Sequence, residues 1–191
     1  MDNQDTLVSF DLETTGFIPG VHSAISLGAV AYRDGVEIAH FYGAMKEFAG
    51  SQRNASTMDW WRKHKTEWMS IRAAQEEPDA VMPRFYQWCK ALPGVLTLAA
   101  NPACFDAGLL WWYLHQYVGE DVINELFKRH RALDIRTYIM AVFNVPYSQA
   151  ERSLLPNHWS QNQYITHNAL DDAREQATVL MNLMRANSGE I

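Results

Sequence analysis

Residues 7–16 read Leu7-Val8-Ser9-Phe10-Asp11-Leu12-Glu13-Thr14-Thr15-Gly16. The opening of this stretch is a short β-type run, and the Gly- and Pro-containing residues 14–20 close it with a turn. Side chains two apart on a strand share a face. Asp11 and Glu13 therefore present two carboxylates to one side of whatever sheet this strand begins. Working outward, residues 24–32 (AISLGAVAY) read as a buried strand, Asp34-Gly35 as a hairpin turn and residues 36–42 as the returning strand. Three strands joined in this way start a sheet with antiparallel pairing.

The pattern then turns helical. Ser56-Thr57-Met58-Asp59 has the form of a capping box, and Trp60, Trp61, His64 and Trp68 follow at helical spacing. A second helix is expected over 79–92, stopped by Pro93-Gly94. Residues 95–100 (VLTLAA) form a short apolar run suited to a central strand. Helices follow over 105–117 and 120–130, then a short strand at 132–134 and a helix over 135–143. Residues 144–166 show little regular pattern, and a loop that long inside a compact domain is usually functional. The last helix runs from Asn168 to about residue 186, with Leu170, Ala173, Ala177, Leu180 and Met184 on one face. The expected fold class is α/β: a mixed sheet with helices on both sides, in a single domain over residues 1–191.

Composition narrows the function classes. With 48% hydrophobic and 12% aromatic residues, the 191-residue chain can build a core without staples. No stretch approaches the ~20 apolar residues of a membrane span. The polar, acidic start does not fit a secretory signal, and Cys89 and Cys104 are too few for a disulfide framework. A reducing cytoplasm is the simplest setting. The net charge of −6 argues against binding nucleic acid by phosphate neutralisation alone. Carboxylates that hold divalent cations are the exception, because the ions supply the positive charge.

Three segments carry the chemistry. Asp11-Leu12-Glu13 offers two hard oxygen donors of the kind that suit Mg²⁺ or Mn²⁺. Asn101-Pro102-Ala103-Cys104-Phe105-Asp106 follows the central strand directly and sets Asp106 at the start of a helix, where the helix dipole favours a carboxylate. His167-Asn168-Ala169-Leu170-Asp171-Asp172 opens the last helix; Ala169 would let helix and sheet approach closely, and Asp171 fits a solvent-facing position. A fourth segment, Leu133-Asp134-Ile135-Arg136-Thr137, sets Asp134 as a helix N-cap, with support of the site through a neighbouring residue as its alternative role.

Taken in order, FDLETTG, NPACFDAGLL and HNALDDA resemble the three motifs of the DnaQ-like, or DEDDh, 3′-5′ exonucleases of the RNase H-like fold. Residues 56–61 and 134–137 are similar to a branch that includes exonuclease A of T-even phages and the mycobacterial 3′-5′ exoribonuclease. Coverage is about residues 5–185. Residues 129–133 (RHRAL) depart from the branch, which has Trp-Asn-x-Arg before Asp-Ile-Arg-Thr. The resemblance implies a mixed five-stranded sheet and two Mg²⁺ or Mn²⁺ ions held by Asp11, Glu13, Asp106 and Asp172, with Asp11 bridging. Four carboxylates packed without cations would raise one another's pKa values. With two ions about 4 Å apart they would clamp an in-line phosphoryl displacement. His167 would be the general base, and an unperturbed imidazole titrates near pH 6.5.

Substrate contacts are expected from the backbone around Leu12, Thr14 and Thr15 and from Asn101. Trp60 and Trp61 lie about 100° apart on a helix, so at most one stacks on a base, at roughly 1–3 kcal/mol. Trp68, Trp111 and Trp112 fit the core better. His158 and Trp159 are placed to wall the nucleotide from the long loop. The expected activity is 3′-5′ exonuclease action on the 3′ end of single-stranded DNA or RNA, with DNA set ahead, releasing nucleoside 5′-monophosphates. Trimming of short RNA or RNA tails is the alternative within the fold, and a polymerase- or repair-associated binding module the alternative outside enzymes. A homodimer stays open, with no self-complementary patch to name.

Overall fold

The computed structural model describes residues 5–127, 132–159 and 166–190. Five strands, β1 (Asp5–Thr14), β2 (Ala24–Arg33), β3 (Val36–Ala44), β4 (Val95–Ala100) and β5 (Ala132–Asp134), form one sheet in the order β3-β2-β1-β4-β5. The first three pair antiparallel, as the hairpin signal requires; β1–β4 and β4–β5 pair parallel. This is the mixed sheet expected from the sequence.

Alternation along β1 sorts its side chains. Val8, Phe10 and Leu12 face a core shared with α3 (Pro78–Ala91) and α4 (Ala103–Tyr117), where Phe85, Leu110 and Tyr113 meet them. Each such fully buried large side chain contributes roughly 1.5–3 kcal/mol. The opposite face carries α7 (Ala169–Ser188), whose Ala173 and Ala177 lie on Val30. Further along, Leu180 and Leu183 join Ile135 and Ile139 of α6 (Ile135–Phe143). Asn168 caps α7 by accepting from Leu170 N and Asp171 N, and Gly189, at φ +76°, ends it in the left-handed region. Asp134 caps α6 as expected, accepting from Thr137 N at 2.7 Å. Its second oxygen accepts from Ala103 N at 2.8 Å, which ties β5 to the first turn of α4.

Gly28 sets how closely α7 docks. A Cβ there would stand 2.1 Å from the Ala169 carbonyl carbon and the Leu170 nitrogen, so any side chain would push the helix start away. Gly28 pairs with Asp11 across β1–β2, so this contact lies beside the carboxylate strand. Ala169, singled out for close approach, is fully buried and supplies the helix half of it.

Three expectations are corrected. The cap of the first helix is Asn54, not Ser56: its Oδ1 accepts from Thr57 N at 3.1 Å, and Ser56 Oγ donates to the same oxygen at 2.6 Å. The helical pattern of the tryptophans breaks into α1 (Ala55–Trp61) and α2 (Lys65–Ala73), so Trp60 and Trp68 do not share a helix. The region after α6 is also more ordered than its composition suggests. Within 144–159 it makes three 3-10 turns, and Trp159 is buried against α6, 6.0 Å from Phe143, instead of walling a nucleotide. Of the helix expected over 120–130, α5 spans Val122–Leu126; its continuation, the divergent residues 129–131 and the rest of the loop at 160–165 lie outside the described residues.

Candidate active site

The site forms where β1 ends and the N-termini of α4 and α7 converge. Asp11 and Glu13 share the α7 side of β1, as the strand period dictates. Asp106, in the first turn of α4, is buried and turned toward β1, with its Oδ1 accepting from Leu12 N at 3.3 Å. Asp172, in the first turn of α7, accepts from Thr166 N at 3.0 Å and from Thr166 Oγ1 at 3.2 Å. Glu13, His167 and Asp172 each offer a ligand atom, and the three atoms lie within 4.8 Å of one another. Asp171 is left outside and pairs with Arg174 at 3.7 Å.

The electrostatics are those of crowded acids. Burial, then the charge of Asp172, lifts Asp11 to about 7, against a donated hydrogen bond from Gln176. Burial, then Asp11 and Asp172, lifts Glu13 to about 9. Asp106 is raised by burial and then by Asp11, and Asp172 by burial against its bonds to Thr166. The His167 imidazole is lowered by burial first and by His64 second, against the pull of Asp172. Among the described residues no Lys or Arg forms an ion pair with any of the four carboxylates. A buried set of hard oxygen donors with no cationic side chain fits divalent metal, which would relieve the repulsion that burial enforces.

A cleft of about 400 Å³ opens beside the carboxylates, lined by Leu12, Glu13, Thr14, Trp60, Phe17 and Phe105 among others. That volume is in the range of small-molecule sites, roughly 300–1,000 Å³. Of the residues from which the sequence reading expects substrate contacts, Leu12, Thr14 and Trp60 line this cleft. Thr15 does not: its N–H donates to Ser23 O at 2.8 Å, its carbonyl accepts from Asn54 N at 2.8 Å, and its hydroxyl accepts from Ser23 N at 2.9 Å. Both its backbone groups are spent on the turn after β1. Asn101 lines a separate small cavity with Gln176 and Arg152. His158 is exposed beside Trp159, 6.4 Å between ring centroids, on the part of the loop that packs against α6 and α7.

Four residues at the site carry no sequence expectation of contact with it. Gln176 Nε2 donates to Asp11 Oδ1 at 2.8 Å. It stands four residues after Asp172, on the same helical face, and that spacing is the signal that could have found it. Phe17, more than half exposed, and Phe105 add aromatic surface to the cleft. His64 reaches the site from the break between α1 and α2, with its ring centroid 4.5 Å from that of His167. Trp61 is core: it is buried, and its Nε1 donates to Thr14 O at 2.8 Å, fixing α1 to the end of β1.

Comparisons with known proteins converge on 3′-5′ exonucleases. The family model described as the 3′-5′ exoribonuclease Rv2179c-like domain matches residues 6–184. The chain is similar to the 3′-5′ DNA exonuclease Cap18 of Escherichia coli, 24% identical over 180 residues, which is 92% of this chain and 89% of that protein. Among solved structures, the zinc-bound E. coli ExoI–ssDNA complex has a TM-score of 0.70 at 15% identity, covering 98% of this chain and 41% of that chain. The chain thus spans about two-fifths of the length of ExoI. The nuclease domain of 3′hExo, a DEDDh family member bound to rAMP, has a TM-score of 0.70 at 15% identity, covering 97% of this chain and 93% of that chain. At such identities the likeness is one of fold, and the fold is RNase H-like. No helix among the described residues is long and apolar enough to cross a membrane.

Proposed function

The chain belongs to the Rv2179c-like 3′-5′ exoribonuclease domain family, 3′-5′ exonucleases of the DEDDh type, and from that premise we propose a specific reaction. It shortens single-stranded nucleic acid from the 3′ end, DNA ahead of RNA, and releases nucleoside 5′-monophosphates. The observation that carries this reading is the convergence of Glu13, His167 and Asp172 to within 4.8 Å beside an open cleft, with Asp11 and Asp106 on the same crowded charge cluster.

Asp11, Glu13, Asp106 and Asp172 would hold two divalent cations, Mg²⁺ or Mn²⁺. When bound, the cations supply Lewis-acid polarisation of the scissile phosphate and charge for the incoming and leaving oxygens. The remaining work falls to side chains and backbone of this chain. His167 takes the proton from the attacking water on its unprotonated ring nitrogen. Burial keeps the imidazole below its ordinary range, so it is neutral and ready to accept at neutral pH. Water attacks phosphorus in line, the bond to the 3′ oxygen of the preceding nucleotide breaks, and that oxygen regains a proton from solvent. Leu12, Thr14, Phe17 and Phe105 seat the terminal nucleotide in the cleft, and the aromatic rings offer stacking surface that tolerates any base. With a net charge of −6 the chain grips few phosphates, which suits short or single-stranded ends.

RNA is the second reading, favoured by the family description, whereas the Cap18 description favours DNA. The test is a time course with Mn²⁺ or Mg²⁺ on matched, 5′-labelled single-stranded DNA and RNA oligonucleotides, with EDTA and Asp11→Ala beside it. A ladder shortening from the 3′ end on one polymer, lost with EDTA and in the variant, is expected. Full cleavage by Asp11→Ala overturns the site. Tight binding of either oligonucleotide without cleavage would move the protein to a binding module.

A further inference from the structure

His64 enters the sequence reading only as one residue of a helical stripe, yet the structure sets it beside His167. It lies in the break between α1 and α2, at the start of α2. Its ring stacks on the Trp60 indole, 4.0 Å between centroids and 28° between planes, and its Nδ1 is 3.0 Å from the Trp60 carbonyl oxygen. His167 stands edge-on to both rings, 4.5 Å from Trp60 at 90° and 4.5 Å from His64 at 70°. The three rings therefore close a triangle.

The backbone of His167 is held from the other side. Its φ of +55° lies in the left-handed region, between Thr166, which is bonded to Asp172, and Asn168, which caps α7. Among the described residues no hydrogen bond fixes the direction of the His167 ring. What orients it is contact with the other two rings. Edge-to-face packing of this kind is directional, because the electron-rich face of one ring attracts the electropositive rim of the next.

We propose that His64 is a positioning residue of the exonuclease reaction: with Trp60 it forms a ring platform that holds the His167 imidazole toward Glu13 and Asp172. The inference rests on His167 being the general base. It also commits Trp60. One face of the indole lies against His64, and its ring meets Trp61 and His167 edge-on, 4.7 and 4.5 Å between centroids. Trp60 serves the base first and lines the cleft second.

The test uses the full chain with Mn²⁺ and the single-stranded oligonucleotide it cleaves best. His64→Ala, His64→Leu, His64→Phe and His167→Ala are compared for kcat, KM, Mn²⁺ affinity by calorimetry and folding by thermal melting. His64→Ala and His64→Leu should lower kcat about 10- to 100-fold, the cost of a misplaced catalytic group, with KM and Mn²⁺ affinity unchanged. His64→Phe, which keeps a flat ring, should restore kcat to within about three-fold of the parent. The platform is overturned if His64→Ala or His64→Leu, whichever folds, keeps full kcat, or raises KM alone. It is equally overturned if His64→Phe is as slow as His64→Ala, since a ring would then not be what matters. Normal turnover by His167→Ala removes the general-base reading and the platform with it, whereas a slow His167→Ala beside a fully active His64→Ala removes the platform only.

Discussion

On one face of β1, Val8, Phe10 and Leu12 press into α3 and α4; on the other, Ser9, Asp11 and Glu13 turn toward α7. Val8, Phe10 and Leu12 are apolar and buried, and through them the strand gains stability. The second face loses it. Ser9 Oγ is buried with no hydrogen-bond partner among the described residues, and Asp11 and Glu13 are crowded until their pKa values rise to about 7 and about 9. One ten-residue strand thus carries both a core-facing side and a pair of crowded carboxylates. The site can be strained because the opposite side of its own strand is not. Changes on the two faces should then separate stability from catalysis in opposite directions.

The sharpest way to break this contrast is Asp11→Asn. If Asp11 holds the cations as proposed above, the loss of its charge should lower cleavage roughly 10⁴-fold, about 5 kcal/mol. In EDTA at pH 8 the same variant should melt no lower than the parent, since a repelled charge has gone. A fall in melting temperature would show that Asp11 supports the fold. One residue away, Phe10→Ala should do the reverse. It should cost about 4 kcal/mol in denaturant unfolding, while turnover per folded molecule, measured well below the melting point, stays near that of the parent. Gly28→Ala couples the two faces. It should shift the start of α7 and lose about 1–3 kcal/mol of stability, with a 10- to 100-fold drop in kcat that Asp172 and His167 share. Parent-like kinetics in Gly28→Ala would mean that the close approach of helix to sheet does not set the site.

The contrast can also be sharpened by pH. Asp11 and Glu13 have folded-state pKa values above their ordinary ones, so the folded protein holds extra protons between those limits. Their favourable contribution is present below about pH 4 and is lost as pH rises through about 7 and then about 9. Metal-free protein should therefore melt progressively lower from pH 5 to pH 9 on this account. Saturating Mn²⁺ should flatten the slope, and equal slopes with and without Mn²⁺ would contradict the repulsion.

What the sequence makes legible follows the same division. Alternation alone puts Asp11 and Glu13 on one face, and the hairpin signal at Asp34-Gly35 gives the antiparallel start. Asp106 and Asp172 fall in the first turns of helices, where their positions follow from pattern alone. Gln176 is hidden because its partner is 165 positions away and only the docking register of α7 brings them together. Gly28 is hidden because a glycine in an apolar strand looks like packing until the helix above it is known. The cap of α1 is missed because Asn54 and Ser56 are equally good cap residues two positions apart, and the chain direction into the helix chooses between them. Thr15 sits in a motif but its backbone groups are already spent, a fact only the return of the chain through Ser23 and Asn54 reveals. Net charge misleads for a simpler reason: it averages over the surface, whereas the charge that matters is concentrated on four acids.

Asp11 and Glu13 lie on the first strand, Asp106 on the helix after the fourth, and Asp172, with Gln176 and the His167 turn, on the last helix. During synthesis the first three carboxylates emerge well before the fourth. Until α7 is out and seated on Gly28, neither His167 nor Asp172 stands beside Glu13. On the reaction proposed above, the seating of α7 is the step that completes the site, so a growing copy is inert toward nucleic acid until His167 and Asp172 are in place.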